Sequence, residues 1–138
     1  MHGRLSWLTL SLLLAGCASP LPAPDPQMAW VELEAREVTS LLMADWQDGQ
    51  RLRDGRYFQV TPGAHELEAT FRYYYQGNPM GRNTLPISCW VRLRYPDFAA
   101  GQRYRLEAWA MSTQVYAVLY DGSGRELAEA EVLGCGSY

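Results

Sequence analysis

The chain has 138 residues, 48% of them hydrophobic, with 12 basic and 15 acidic side chains and a formal charge of −3. That length suits one domain with one real hydrophobic core, and the acidic balance argues against nucleic acid as a bulk partner. Every basic residue is arginine, and no HExxH, P-loop or GxGxxG motif occurs, so no cofactor is implied.

The opening MHGRLSWLTLSLLLAGCA has a short leading segment whose charge is Arg4, then a largely apolar stretch from Leu5 to Ala15, then small residues ending at Cys17. About eleven such residues are too few to span a bilayer, which needs ~20, so residues 1–16 read as a signal peptide. Leu14-Ala15-Gly16-Cys17 resembles the bacterial lipobox, which implies cleavage before Cys17 and lipid on its thiol. The alternative is an ordinary secretory signal with a coincidental cysteine. The acyl chains that such lipoproteins carry exceed the two signals stable anchoring requires. Ala18 and Ser19, where an aspartate would imply inner-membrane retention, imply sorting to the outer membrane, facing the periplasm.

Residues 17–27 form the lipidated cysteine and a tether. Ser19 to Gln27, SPLPAPDPQ, holds four prolines, and alternate prolines enforce an extended chain. As a spacer this stretch predicts a separation of roughly 25 to 30 Å between lipid and domain. Residues 28–138 are then the folded domain.

Hydrophobic alternation dominates that domain. The run MAWVELEAREVTSLLMADW, residues 28–46, reads as strands at Trp30–Glu37 and Ser40–Trp46, although its Glu, Ala, Arg and Leu content also suits a helix. A strand is expected at Tyr57–Val60. From Ala64 to Tyr75, Leu67, Ala69, Phe71, Tyr73 and Tyr75 alternate with polar positions, a period of two that marks a half-buried strand. The pattern recurs in Ile87–Tyr95 and Arg103–Trp109, with further strands at Thr113–Tyr120 and Glu126–Leu133. Asp48-Gly49, Asp54-Gly55, Thr61-Pro62-Gly63 and Asp121-Gly122-Ser123-Gly124 supply the turns. The expectation is an all-β, antiparallel sandwich of seven to eight strands.

With Cys17 assigned to lipid, Cys89 and Cys135 form an even pair, and in an oxidising compartment they predict a disulfide contributing ~3 to 4 kcal/mol. Metal is disfavoured, because two thiols and His65 at these separations match no zinc spacing.

The run Tyr57-Phe58-Gln59-Val60-Thr61-Pro62-Gly63-Ala64-His65-Glu66-Leu67-Glu68 resembles the strand, PG-turn, strand signature of PEGA-like domains and of small proteobacterial lipoproteins. Ala100 to Leu106 resembles their downstream aromatic strand. The resemblance covers roughly residues 50 to 110 and implies an immunoglobulin-like or transthyretin-like sandwich with a non-catalytic surface role. Pro62 presets φ for the turn and Gly63 tolerates positive φ.

No catalytic constellation is apparent. After residue 16 the chain offers one histidine, His65, and no GxSxG elbow. No carboxylate pair stands out as a glycosidase site.

The candidate ligand face consists of Trp90, Arg92 and Arg94 with Arg103, Arg105 and Trp109. A hairpin through Pro96–Gln102 would pair Trp90 with Trp109, Arg92 with Glu107 and Arg94 with Arg105. Guanidinium groups suit phosphate or carboxylate, and tryptophans suit a sugar face or a protein. The plainer alternative is a charge ladder in which these arginines pair with Glu66, Glu68, Glu32 or Glu34 and the tryptophans cover apolar surface. The loop from Gln76 to Thr84 is rich in turn residues and is a further recognition candidate.

These readings converge on a non-catalytic outer-membrane lipoprotein, a structural or protein-interaction accessory of the envelope with an envelope protein as partner. The alternatives are a glycan or lipopolysaccharide binder, and an inhibitor of a cell-wall hydrolase such as lysozyme acting through Asp121–Arg125.

Overall fold

The computed structural model describes residues 19–76 and 84–137. Among the described residues there are ten strands: β1 (Ala29–Ala35), β2 (Leu41–Gln47), β3 (Gln50–Arg51), β4 (Tyr57–Val60), β5 (Gly63–Tyr75), β6 (Leu85–Phe98), β7 (Arg103–Met111), β8 (Gln114–Asp121), β9 (Glu126–Glu129) and β10 (Glu131–Ser137). They build two five-stranded sheets that pack into a sandwich, one ordered β4-β1-β7-β8-β9 and the other β10-β6-β5-β2-β3. We call these sheet A and sheet B.

The fold is all-β, as the period-two patterns predict, and residues 28–46 form strands rather than a helix. Good helix formers lose there because Val31, Leu42 and Ala44 point inward at alternate positions and are buried, which a helical period would not achieve. The strand count exceeds the expected seven to eight. β3 is a two-residue edge piece across the Asp48-Gly49 turn, and the expected strand Glu126–Leu133 is two strands, one in each sheet. Asp48 and Gly49 both have positive φ, 50° and 78°, the backbone that a two-residue hairpin turn demands.

Most neighbours are antiparallel, but β1 runs parallel to β7, with Val31 opposite Tyr104 and Leu33 opposite Leu106. The long β5–β6 ladder sets Glu66 opposite Arg94, Glu68 opposite Arg92 and Phe71 opposite Cys89. Phe58, Leu67, Phe71, Val91, Leu93, Leu106 and Leu119 fill the space between the sheets and are fully buried, each worth ~1.5–3 kcal/mol against exposure. Cys89 and Cys135 face each other across the β6–β10 ladder and are bonded, with Sγ atoms 2.05 Å and Cα atoms 4.0 Å apart.

The expected hairpin between Ile87–Tyr95 and Arg103–Trp109 does not form. β6 lies in sheet B and β7 in sheet A, and the chain arches between them through residues 99–102. In such an arch the inward rows face each other across the core instead of lying side by side. Phe98 meets Tyr104 edge to face, 5.0 Å between ring centroids, and the Ala99 N–H donates to the Tyr104 hydroxyl at 2.9 Å. Both topologies bury alternate residues, so alternation alone does not distinguish them.

Candidate functional site

Trp30 is the first anomaly. Val31 belongs to the inward row of β1, so Trp30, one residue earlier, belongs to the outer face of sheet A, in register with Gln59 and Arg103. An outward tryptophan should be wet, yet Trp30 is only 5% exposed. Tyr57 stacks on it, with centroids 4.3 Å apart and planes 9° from parallel, and the proline-rich segment covers the rest. Leu21, Pro22, Pro24, Trp30, Arg56 and Arg103 wall one hollow of about 370 Å³.

Backbone and side-chain hydrogen bonds pin this strap along its length. The Met28 N–H donates to the Asp25 carbonyl and the Gly101 N–H to the Met28 carbonyl, at 3.0 and 2.9 Å. The Asp25 N–H donates to the Gln59 side-chain oxygen at 3.0 Å. At the far end Arg56 holds Asp54 through Nε and Nη2, at 2.8 and 2.7 Å, and donates from Nη1 to the Ser19 carbonyl at 2.7 Å. The paired guanidinium keeps the Asp54 carboxyl below the usual aspartate range. Gly101, at φ 73°, suits this closure, because a Cβ there would stand 3.3 Å from the Pro26 carbonyl oxygen.

Residues 19–27 are therefore not a stand-off spacer of 25 to 30 Å but a strap folded back on the domain. Prolines make this cheap, since a preset extended chain loses little entropy when it docks on an aromatic surface. Trp30, Tyr57 and Arg56 were not among the expected site residues, and Trp30 and Tyr57 were expected only as strand positions. The available signal was a tryptophan at an outward position just downstream of four prolines.

The six residues of the expected ligand face are divided between the sheets. Trp90, Arg92 and Arg94 stand on the outer face of sheet B, and Arg103, Arg105 and Trp109 on that of sheet A. The postulated pairs Trp90–Trp109, Arg92–Glu107 and Arg94–Arg105 do not exist. On sheet B, Arg92 donates to Glu68 at 2.7 Å and Arg94 to Glu66 at 2.8 Å. On sheet A, Arg103 donates to Glu32 at 2.9 Å and Arg105 to Glu34 at 3.2 Å. This is the charge ladder with the four glutamates named as its alternative. The carboxylates raise the Arg92 and Arg105 pKa values further, through Glu68 and Glu34 respectively.

Glu107 is the exception, nearly buried at 8% exposure. It accepts from Arg36 at 2.9 and 2.7 Å and from Arg105 at 2.6 Å. Arg36 also lies 3.8 Å over the Trp109 ring, which stacks on Tyr116. The expected strand through Glu37 stops at Ala35, and that early end is what lets Arg36 cross to β7.

His65 sits between two turns. Its Nδ1 is 2.6 Å from the Asp48 carboxylate, and its Nε2 is 2.7 Å from the Thr61 carbonyl and 3.1 Å from the Thr61 hydroxyl. The ring is held on both sides, by the Asp48 carboxylate at Nδ1 and by Thr61 at Nε2. The ring clips the β2–β3 turn to the β4–β5 turn. Burial opposes the charge on Asp48, but the Glu66 N–H and the His65 ring outweigh it and hold its pKa below normal.

The Asp121–Arg125 turn closes on itself, the Asp121 carboxylate accepting from the Ser123 N–H, the Ser123 hydroxyl and the Arg125 N–H. A hollow of about 430 Å³ at the other end of the sandwich is lined by Tyr73, Tyr75, Glu37 and Ser40 among others. Cys17, the expected signal segment and residues 77–83 of the candidate loop lie outside the described residues. Among the described residues no buried side-chain nitrogen or oxygen lacks a hydrogen-bond partner. No family model, curated protein or solved structure matches this chain.

Proposed function

We propose that the chain is an envelope lipoprotein, cut before Cys17 and anchored by lipid on that cysteine to the outer membrane, where the sandwich acts as a non-catalytic structural or protein-interaction accessory facing the periplasm. The observation that carries this reading is the Cys89–Cys135 bridge. It takes two of the three cysteines, as an oxidising compartment allows, and leaves Cys17, directly after Leu14-Ala15-Gly16, as the cysteine for lipid.

The paired state of the polar groups supports a scaffold rather than a catalyst. Arg92, Arg94, Arg103 and Arg105 each hold a carboxylate, and His65 serves as a clip. Phosphate or glycan recognition by those arginines would first have to break the ladder.

The test is radiolabelled palmitate incorporation and membrane fractionation of the wild type beside Cys17→Ser, followed by crosslinking capture from the native envelope. The expected result is label and outer-membrane recovery in the wild type alone, with a reproducible envelope protein captured. Wild-type protein without label, recovered in the soluble periplasm, overturns the anchoring. Turnover of a cell-wall substrate by the purified domain overturns the non-catalytic role.

A further inference from the structure

Both sheets end on the same two margins: β3 and β4 lie at one edge of the sandwich, and β9 and β10 at the other. Their charges differ in sign. The segment Arg51-Leu52-Arg53-Asp54-Gly55-Arg56, which crosses from β3 to β4, holds three arginines and one acid. Arg53 is exposed and forms no ion pair among the described residues, and Arg51 stands 5.7 Å over the half-exposed Trp46 ring. The opposite margin carries Glu126, Glu129 and Glu131.

The strap delivers the chain to the basic margin. Its first described residue, Ser19, is held by Arg56 itself, and Cys17 lies two residues upstream, a reach of at most ~7 Å. A lipid there leaves almost no free leash, so the membrane surface must approach this edge.

We infer that the β3–β4 margin is a membrane-docking surface, on which Arg51 and Arg53 bind headgroup phosphates of the bilayer that holds the anchor, with Trp46 beside them at the interface. The inference rests on the anchoring proposed above and adds to it a fixed orientation, with the acidic β9–β10 margin turned to the periplasm. Guanidinium groups suit phosphate by charge and by paired donors, and tryptophan settles at headgroup depth. An anionic leaflet attracts the basic edge and repels the acidic one, both within a Debye length.

The test uses the lipidated mature protein in phosphatidylethanolamine and phosphatidylglycerol vesicles carrying a headgroup nitroxide. A fluorophore is placed at Gln50→Cys on β3 or at Glu129→Cys on β9, and Cys17 acylation is checked by mass spectrometry. The expected result is several-fold stronger quenching at Gln50→Cys, with the contrast lost when Arg51→Gln and Arg53→Gln are combined. Equal quenching at the two sites, in protein that is acylated and floats with the vesicles, overturns the orientation while the anchor stands. A contrast that survives the double arginine substitution assigns orientation to the strap alone and overturns the phosphate contacts. Absence of acyl chain at Cys17 removes both proposals.

Discussion

The N-terminal strap and the C-terminal strand β10 both finish the described chain beside an outward tryptophan, but they are held differently. β10 runs antiparallel to β6 in a backbone ladder and is bonded to it through Cys89–Cys135. Beside it Trp90, in register with Gly134, remains 37% exposed. Residues 19–27 join no sheet, and their hold is a few hydrogen bonds and a proline surface laid on Trp30 at 5% exposure. A terminal segment can thus be secured by covalent closure beside a half-exposed aromatic, or by covering the aromatic itself. The two modes fail under different insults.

The largest separation should come from the bridge. Replacing Cys89 and Cys135 together by alanine, which opens a closure spanning a sequence separation of 46, should cost ~4 kcal/mol in urea unfolding. Protection of residues 19–27 from proteinase K should be unchanged.

Trp30→Ala should cost ~3 kcal/mol and make the strap cleavable, whereas Trp90→Ala should cost ~1 kcal/mol and leave it protected. Equal protease protection in the two variants would show that hydrogen bonds, not the aromatic surface, hold the strap.

Glu107→Gln should cost ~1–2 kcal/mol, because Arg36 and Arg105 lose a nearly buried carboxylate. Arg103→Ala, which breaks the exposed pair with Glu32, should cost under ~0.5 kcal/mol. Urea midpoints of the two variants measure the difference.

The smallest effect is acid sensitivity, of which the Asp54 share bears on the strap through Arg56. Asp48, Asp54 and Asp121 are all held below the ordinary 3.8, the last by the Ser123 hydroxyl and the Arg125 N–H. The unfolded chain therefore binds more protons than the folded one on the acid side, so this stability is complete above 3.8 and lost as pH falls through the lower folded values. Asp54→Asn should weaken that acid dependence and, at neutral pH, speed cleavage near Ser19. An unchanged cleavage rate would separate Arg56 from strap retention.

Much of the fold was legible because strand signals are local. Tyr57–Val60 matches its predicted span, and Leu67, Ala69, Phe71 and Tyr73 are buried as their alternation requires. The cysteine pairing was legible from the expectation that Cys17 is set apart, which leaves one even pair, and the arginine ladder from the like spacing of Glu66 and Glu68 with Arg92 and Arg94. The imagined six-residue ligand face failed because it needed β6 and β7 to be neighbours. Nothing within either strand encodes its neighbour when hairpin and arch bury the same residues.

By itself, then, the sequence determined which segments are strands, which side of each is apolar and which cysteines are bonded, since these follow from a residue's own chemistry and a period of two. Only the tertiary structure decided that β6 and β7 belong to different sheets, that Arg36 reaches Glu107 and that the proline segment covers Trp30. Each of those depends on the energy of a surface made by residues far apart in the chain. That surface exists only once both sheets have formed.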